Sequence, residues 1–156
     1  MYRNSDTDNH DPGVRGAMLA DINKIEWASM GEGVKFKLLR YCEVTGDWVL
    51  YVQLQPGVKF GRHKHITPAE FFILKGELVF ERGSATAGVY GYEEIGEIHE
   101  EAGGAEVCEF LYFGHGPVAF IDENDQPQFI ADVHFYKSAW EGNMPNDVVD
   151  ERGLTR

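Results

Sequence analysis

Cysteine is scarce in this 156-residue sequence, which contains only Cys42 and Cys108. The two lie far apart along the chain, so the sequence offers no closely spaced cysteine pair of the kind that binds structural zinc. It also lacks any run of about 18 apolar residues, the length that a membrane-spanning helix needs. Because the chain opens on polar residues and not on the apolar core of a signal peptide, we expect a reduced, cytoplasmic protein.

Basic residues are also few. The sequence has 14 lysines and arginines against 26 aspartates and glutamates, which gives a formal net charge of −12 at pH 7. Such an acidic surface repels the phosphate backbone of nucleic acids and disfavours docking on anionic lipid headgroups. We therefore expect no nucleic-acid partner and no membrane association, and the simplest role of the acidic excess is solubility.

Glycine, in contrast, is abundant, with 18 residues, and the sequence contains many short apolar runs of period two. Val34, Phe36 and Leu38 alternate with lysines, for example, as a half-buried strand requires. Short strands, glycine-rich turns and little helical periodicity predict an all-β fold, either a sandwich or a small barrel. A double-sheet jelly roll is the version of this fold that encloses a small cavity.

The length of the chain fits one domain. Its predicted parts are a flexible arm over residues 1–20, a folded domain over residues 21–142 and a C-terminal tail over residues 143–156. Near the end of the domain, the pattern predicts a last strand over Phe129–Tyr136, with His134 on it. A short helical turn over Lys137–Glu141 is expected to follow.

The most informative motif is His63-Lys64-His65. Histidines two residues apart on a strand project to the same face, because strand side chains alternate. His99, from another strand, could complete a set of three imidazoles around one metal ion, and such a set leaves coordination positions open for chemistry. For an isolated His-x-His pair, the alternative is an exposed polar pair on a sheet. Iron(II) suits imidazole ligands and supports oxygen activation, whereas zinc would bind comparably well without redox chemistry.

The spacing of these residues resembles the motifs of the cupin family. Gly57, His63, His65 and Gly76 are similar to the first cupin motif, and the segment Glu94–His99 is similar to the second, with Glu94 in place of a proline. This resemblance implies an all-β cupin double-stranded β-helix, that is, a jelly-roll barrel in a single domain. It also implies that His63, His65 and His99 are metal ligands.

One ligand of ordinary metal cupins is missing from the motif. The family carries a glutamate seven residues before the closing glycine, and counting back from Gly76 gives Ala69. Glu70 is adjacent, but a step of one residue on a strand turns a side chain to the opposite face. We therefore expect three histidine ligands and no carboxylate, with a β-bulge that rotates Glu70 inward as the alternative.

Without this carboxylate, the motif resembles that of the three-histidine branch of the cupins, which includes acetylacetone-cleaving enzymes and dihydroxyacetophenone dioxygenase. The segments His63–Gly76, Tyr90–Glu93 and Gly116–Asn124 carry the resemblance. It implies a non-haem Fe(II) dioxygenase that uses O2 to cleave a carbon–carbon bond in a β-diketone or related enolisable ketone, in a homodimer or homotetramer. Zinc or nickel could occupy the same site. Three neutral imidazoles leave the charge of the metal uncompensated, which favours an anionic bidentate ligand such as an enolate.

The resemblance also assigns residues around the metal. Glu93 matches a glutamate near the substrate and could assist deprotonation or hold water, and the alternative is a solvated turn carboxylate. Phe60 and Phe110 match positions that line an apolar pocket, although either could instead belong to the core, and Phe71 is expected to contact the substrate with them. Phe71 replaces a tyrosine of the family and Glu81 replaces an arginine, which argues against acetylacetone itself as the substrate.

Two other functions fit the same pattern. One is a cupin whose zinc is structural or sensory, as in the cupin module of zinc anti-sigma factors. The other is a metal-dependent isomerase or lyase, in which the ion polarises a carbonyl and no oxygen is consumed. His115, between two glycines, is expected to be a turn or surface histidine and not a fourth ligand.

Overall fold

Short strands dominate the computed structural model, which describes residues 10–143. The elements in this range are β1 (Ala28–Gly31), β2 (Val34–Tyr41), β3 (Trp48–Leu54), β4 (Lys59–Phe60), β5 (His63–His65), β6 (Ala69–Lys75), β7 (Glu77–Phe80), β8 (Gly83–Thr86), β9 (Tyr90–Glu93), β10 (Ile98–His99), β11 (Ala102–Gly103), β12 (Cys108–Gly114), β13 (Val118–Ile121), β14 (Pro127–Ala131) and the helix α1 (Val133–Trp140). The all-β class predicted from the sequence is confirmed.

The strands form three antiparallel sheets within the described range. The largest has six strands in the order β1-β2-β3-β12-β6-β9. Two four-stranded sheets have the orders β10-β5-β13-β14 and β4-β11-β7-β8. Neighbours such as β12 and β6 are far apart in sequence, so the sheets are built by long-range pairing, as in a jelly roll.

The period-two pattern places the core on the inner face of the six-stranded sheet. On β2, Val34, Phe36 and Leu38 are buried, and on β3 the largest buried side chain is Trp48. Trp48 also donates a hydrogen bond of 2.9 Å from its indole nitrogen to the carbonyl of Gly116, which ties β3 to the loop before β13. This bond joins the six-stranded sheet to the sheet that contains β5 and β13.

The end of the domain differs from the sequence prediction. The last strand ends at Ala131, and Val133–Trp140 is a helix instead of a strand followed by a turn. Asp132 explains the change, because its side chain accepts hydrogen bonds from the amides of His134 (3.0 Å) and Phe135 (2.9 Å) and so caps the helix. His134 is therefore an exposed helical residue and not a strand residue.

The described part of the predicted N-terminal arm is held against the domain. The Nε2 atom of His10 lies 2.8 Å from the carbonyl oxygen of Leu38, and the amide of Tyr41 donates to the carbonyl of Pro12 at 2.8 Å. Residues 1–9 of the arm and residues 144–156 of the predicted tail lie outside the described residues. Across residues 10–143, no helix has the length and apolar character needed to cross a membrane.

Candidate metal centre

His63, His65 and His99 come together in the interior of the barrel, and we call them the histidine cluster. His63 and His65 are the first and last residues of β5, and His99 on β10 pairs directly opposite His63. All three are buried, and each offers a nitrogen within 4.8 Å of the others. The Nε2 atoms of His65 and His99 are buried without a hydrogen-bond partner in the described structure. Buried, unpartnered nitrogens that converge in this way fit a bound metal ion.

Two of the rings are oriented by hydrogen bonds at Nδ1. The Nδ1 atom of His63 lies 2.7 Å from the carbonyl oxygen of Gly61. That of His99 lies 3.1 Å from a carboxylate oxygen of Glu81. An acceptor at Nδ1 fixes the proton there and leaves Nε2 as the metal-binding atom.

His63 and His65 are uncharged near neutral pH. Burial lowers the pKa of His63 to about 4, with a smaller contribution from the nearby His99. Burial also lowers the pKa of His65 to about 3, helped by the other two imidazoles. Because only the neutral ring has a lone pair to donate, both rings are ready to bind a metal without first losing a proton.

Glu93 lies against the histidine cluster. Its carboxylate oxygens are 3.4 Å from Nε2 of His99 and 3.5 Å from Nε2 of His65. Its side chain is only 12% exposed, and burial raises the pKa of the carboxyl. The hydroxyl of Tyr112 donates a hydrogen bond of 2.9 Å to Oε2. Glu93 is therefore an enclosed carboxylate and does not lie in a solvated turn.

The register of β6 and β9 explains how Glu93 reaches this place. Ala69 is buried and pairs directly opposite Glu93, so the two side chains lie on the same inner face. Glu70 points to the other face, where it accepts hydrogen bonds from Tyr90 (2.5 Å) and His115 (2.7 Å). The paired residues of β6 and β9 run in unbroken register, so no bulge turns Glu70 inward. His115 is 46% exposed and lies outside the cluster.

A mainly apolar cavity of about 90 Å³ adjoins the cluster. Phe60, Phe71 and Phe110, the three predicted substrate-contacting residues, all line it together with His63 and Glu93. Since one water position takes roughly 10–15 Å³, the cavity has room for on the order of six waters or a small organic molecule. The structure thus brings the predicted ligands, the predicted acid–base residue and the predicted pocket residues to one place.

Glu81 and Tyr112 contact the site although the sequence pattern predicted no role for either at the metal centre. Tyr112 could have been found, because it lies two residues from Phe110 on β12 and so faces the same side. The resemblance singled out Glu81 only as the replacement of a family arginine, and strand alternation gave no further signal because Glu81 follows the end of β7. Partial burial raises its pKa, but hydrogen bonds from its own amide, from His99 and from the amides of Glu100 and Glu101 lower it to about 2.

Comparison with known proteins agrees with this architecture. Residues 15–119 match the model of the ChrR cupin-like domain. The chain belongs to this cupin family. Its jelly-roll fold and its predicted relation to cupins of the acetylacetone-cleaving type are confirmed.

Three relatives show the extent of the similarity. The chain is 30% identical over 98 residues to the acetylacetone-cleaving enzyme of Acinetobacter johnsonii, a match that spans 59% of this cupin and 64% of that enzyme. The crystal structure of an acetylacetone dioxygenase from Acinetobacter johnsonii superposes with a TM-score of 0.74 at 23% identity, over 86% of this chain and 97% of that chain. A candidate acetylacetone dioxygenase of Methylibium petroleiphilum PM1 gives a TM-score of 0.77 at 23% identity, over 82% of this chain and 96% of that chain. The two structures support the cupin fold.

Proposed function

We propose that this cupin is an Fe(II)-dependent dioxygenase that cleaves a carbon–carbon bond in a β-diketone or a related enolisable ketone. The observation that carries the proposal is the meeting of three buried histidines and one enclosed carboxylate at a small apolar cavity. The similarity to the acetylacetone-cleaving enzyme supports the reaction class. The alignment covers less than two thirds of that enzyme, so the activity rests on the site and on the experiments below.

The donor set fits the metal that the proposal needs. Iron(II) held by His63, His65 and His99 would supply Lewis acidity toward the substrate oxygens and the activation of O2. Zinc or nickel would fit the same three nitrogens. None of the three ligands carries a negative charge, which favours a substrate that binds as an anion.

Glu93 is the residue placed to make that anion. The acidic hydrogen of a β-diketone is on the carbon between the two carbonyl groups, and its removal gives the enolate. Tyr112 already donates to Oε2 of Glu93, which leaves Oε1 to take the proton. The raised pKa of this buried carboxyl suits a general base, because a base works best when its pKa approaches the operating pH.

The apolar walls position the substrate and exclude water. Phe60 and Phe110 contact each other at the cavity with a ring-centroid distance of 6.5 Å. Phe71 lies on the adjacent strand, and its ring fills the space over Gly91. These aromatic side chains would hold the apolar ends of a small ketone, while the polar end faces His63 and Glu93.

Oxygen uptake tests the proposal. The protein would be reconstituted anaerobically with iron(II) and mixed with aerated β-diketones and hydroxyaryl ketones, with the zinc-loaded protein as a control. His99→Ala removes one predicted ligand, and His134→Ala, on the exposed face of α1, is the matched control. We expect uptake only with iron and an enolisable substrate, lost in His99→Ala and kept in His134→Ala.

Two outcomes of this experiment would favour a different function. Turnover of a ketone without oxygen uptake would indicate a metal-dependent isomerase or lyase. One tightly held metal per chain, with no turnover of any substrate, would favour structural or sensory zinc. Because zinc would fit the same three imidazoles, structural or sensory zinc is the second candidate function.

A further inference from the structure

Glu81 is placed behind the histidine cluster and not within it. It directly follows β7, and one of its carboxylate oxygens, Oε2, lies 3.1 Å from Nδ1 of His99. The other oxygen accepts hydrogen bonds from the amides of Glu100 and Glu101, the latter at 3.2 Å. One carboxylate therefore holds both the ring of His99 and the backbone that follows it.

The other two histidines have no such partner. Nδ1 of His63 meets a neutral carbonyl, that of Gly61, at 2.7 Å. Nδ1 of His65 is buried and has no carboxylate acceptor among the described residues. Of the three rings, His99 is thus the one with a carboxylate at Nδ1, the nitrogen that faces away from the cluster. A carboxylate acceptor strengthens this hydrogen bond and makes the opposite nitrogen of the ring a better donor.

We propose that Glu81 is a positioning residue of the metal centre, which fixes the Nδ1–H form of His99 and strengthens metal binding through its Nε2. This inference rests on metal binding at the histidine cluster, as in the proposed function. The cluster itself contains no negatively charged ligand, so the charge of Glu81 reaches the ion through the imidazole. Among the three predicted ligands, Glu81 contacts His99 alone.

A purely structural role for Glu81 makes a different prediction. If the side chain only ties the loop at Glu100 and Glu101, then Glu81→Gln should behave as the wild type, because its amide oxygen can still accept hydrogen bonds. If the charge matters, Glu81→Gln should weaken metal binding although the chain folds normally. Glu100→Gln is the matched control, since that exposed side chain is next to His99 in sequence but contacts Arg62 instead.

Zinc affinity is the first readout, measured at pH 7 by competition with a chromophoric chelator. We expect about a tenfold loss in Glu81→Gln, at the low end of the effect of partners that hydrogen-bond to metal ligands. Glu81→Leu should lose more, and Glu100→Gln should match the wild type. Melting of the metal-free proteins reports folding, and Glu81→Gln provides the decisive comparison if Glu81→Leu fails to fold.

Proton NMR of the cobalt(II)-loaded protein is the second readout. The exchangeable Nδ1–H signal of His99 should shift and exchange faster in Glu81→Gln, while that of His63 should stay in place. Equal zinc affinity and unchanged signals in Glu81→Gln would overturn the inference, as would an equal loss in Glu100→Gln or a wild type that binds no metal. Neither readout needs oxygen or a ketone, so a failure of the dioxygenase proposal alone leaves this result intact.

Discussion

At the scale of single residues, Glu93 combines closeness to the histidine cluster with a hydrogen bond of its own. Its two carboxylate oxygens lie 3.4–3.5 Å from Nε2 of His99 and Nε2 of His65. The hydroxyl of Tyr112 donates a hydrogen bond to Oε2. These contacts fit the proposed role of Glu93 as a general base beside a bound metal ion. Replacing Glu93 by glutamine removes its charge with little change in the shape of the side chain.

Glu93→Gln should therefore lower kcat by about 100-fold or more, the usual contribution of a positioned general base. The variant keeps an oxygen that can accept from Tyr112, so its metal content should equal that of the wild type. Oxygen uptake and metal analysis on the same samples check both statements. Glu94→Gln, the exposed neighbouring residue, is the control and should keep full activity. Loss of metal in Glu93→Gln would instead make Glu93 a ligand.

The loss of activity at acid pH should also follow the protonation of Glu93. Because burial raises the pKa of Glu93, the wild type should lose kcat/KM as pH falls through a value above that of an ordinary glutamate. Glu93→Gln should lack this limb.

At the scale of elements, strand alternation made part of the site predictable. It placed His63 and His65 on one face, turned Glu70 away and left Ala69 facing inward. It could not show that Ala69 pairs with Glu93, because the register between two strands depends on the whole sheet. The contact between Glu81 and His99 could not be predicted for the same reason, since it joins the end of β7 to a residue of β10.

The sequence predicts a strand where α1 forms, because the alternation of apolar and polar residues there is a stronger pattern than the single helix-capping residue. Residues after Phe129 alternate well enough to look like a strand, but Asp132 satisfies two amides that would otherwise be unpaired at the helix start. The buried residues Val133, Tyr136 and Ala139 then pack one face of the helix against the sheet. Tertiary packing decided between two structures that the local sequence permits.

This cap leads to a stability prediction. Asp132→Ala should lower the free energy of unfolding by about 1 kcal/mol, the usual cost of losing an N-cap side chain. Asp132→Asn should stay close to the wild type, because its side-chain oxygen can still accept from the amides of His134 and Phe135. Urea denaturation at pH 7 measures both. An equal loss in the two variants would show that the carboxylate charge, and not the cap, stabilises the helix.

At the scale of the whole molecule, the barrel keeps His63 and His65 neutral although its surface is strongly acidic. The formal net charge is −12, and acidic surroundings favour protonated histidine. Burial outweighs this effect for His63 and His65, whose pKa values are about 4 and about 3. Folding therefore also prepares the site for a metal ion, because burial in the folded protein favours the neutral, metal-binding form of His63 and His65.

The same linkage makes the metal-free protein sensitive to acid. The unfolded chain binds protons at these histidines below about pH 6.5, whereas the folded chain keeps His63 and His65 neutral until much lower pH. Protons thus favour the unfolded state, and the free energy of unfolding should fall between pH 7 and pH 5. The slope should approach roughly 1 kcal/mol per pH unit for each of the two residues.

Glu93 contributes with the opposite sign, because its raised pKa lets the folded state take up a proton more readily than the unfolded chain. Glu93→Gln should therefore lose stability more steeply than the wild type over the same pH range. Urea denaturation of chelator-treated protein at half-unit pH steps measures both slopes. A free energy of unfolding that stays constant from pH 7 to pH 5 in both the wild type and Glu93→Gln would mean that His63 and His65 are protonated as readily in the folded protein as in the unfolded chain, and it would remove the basis for treating these two histidines as ready ligands.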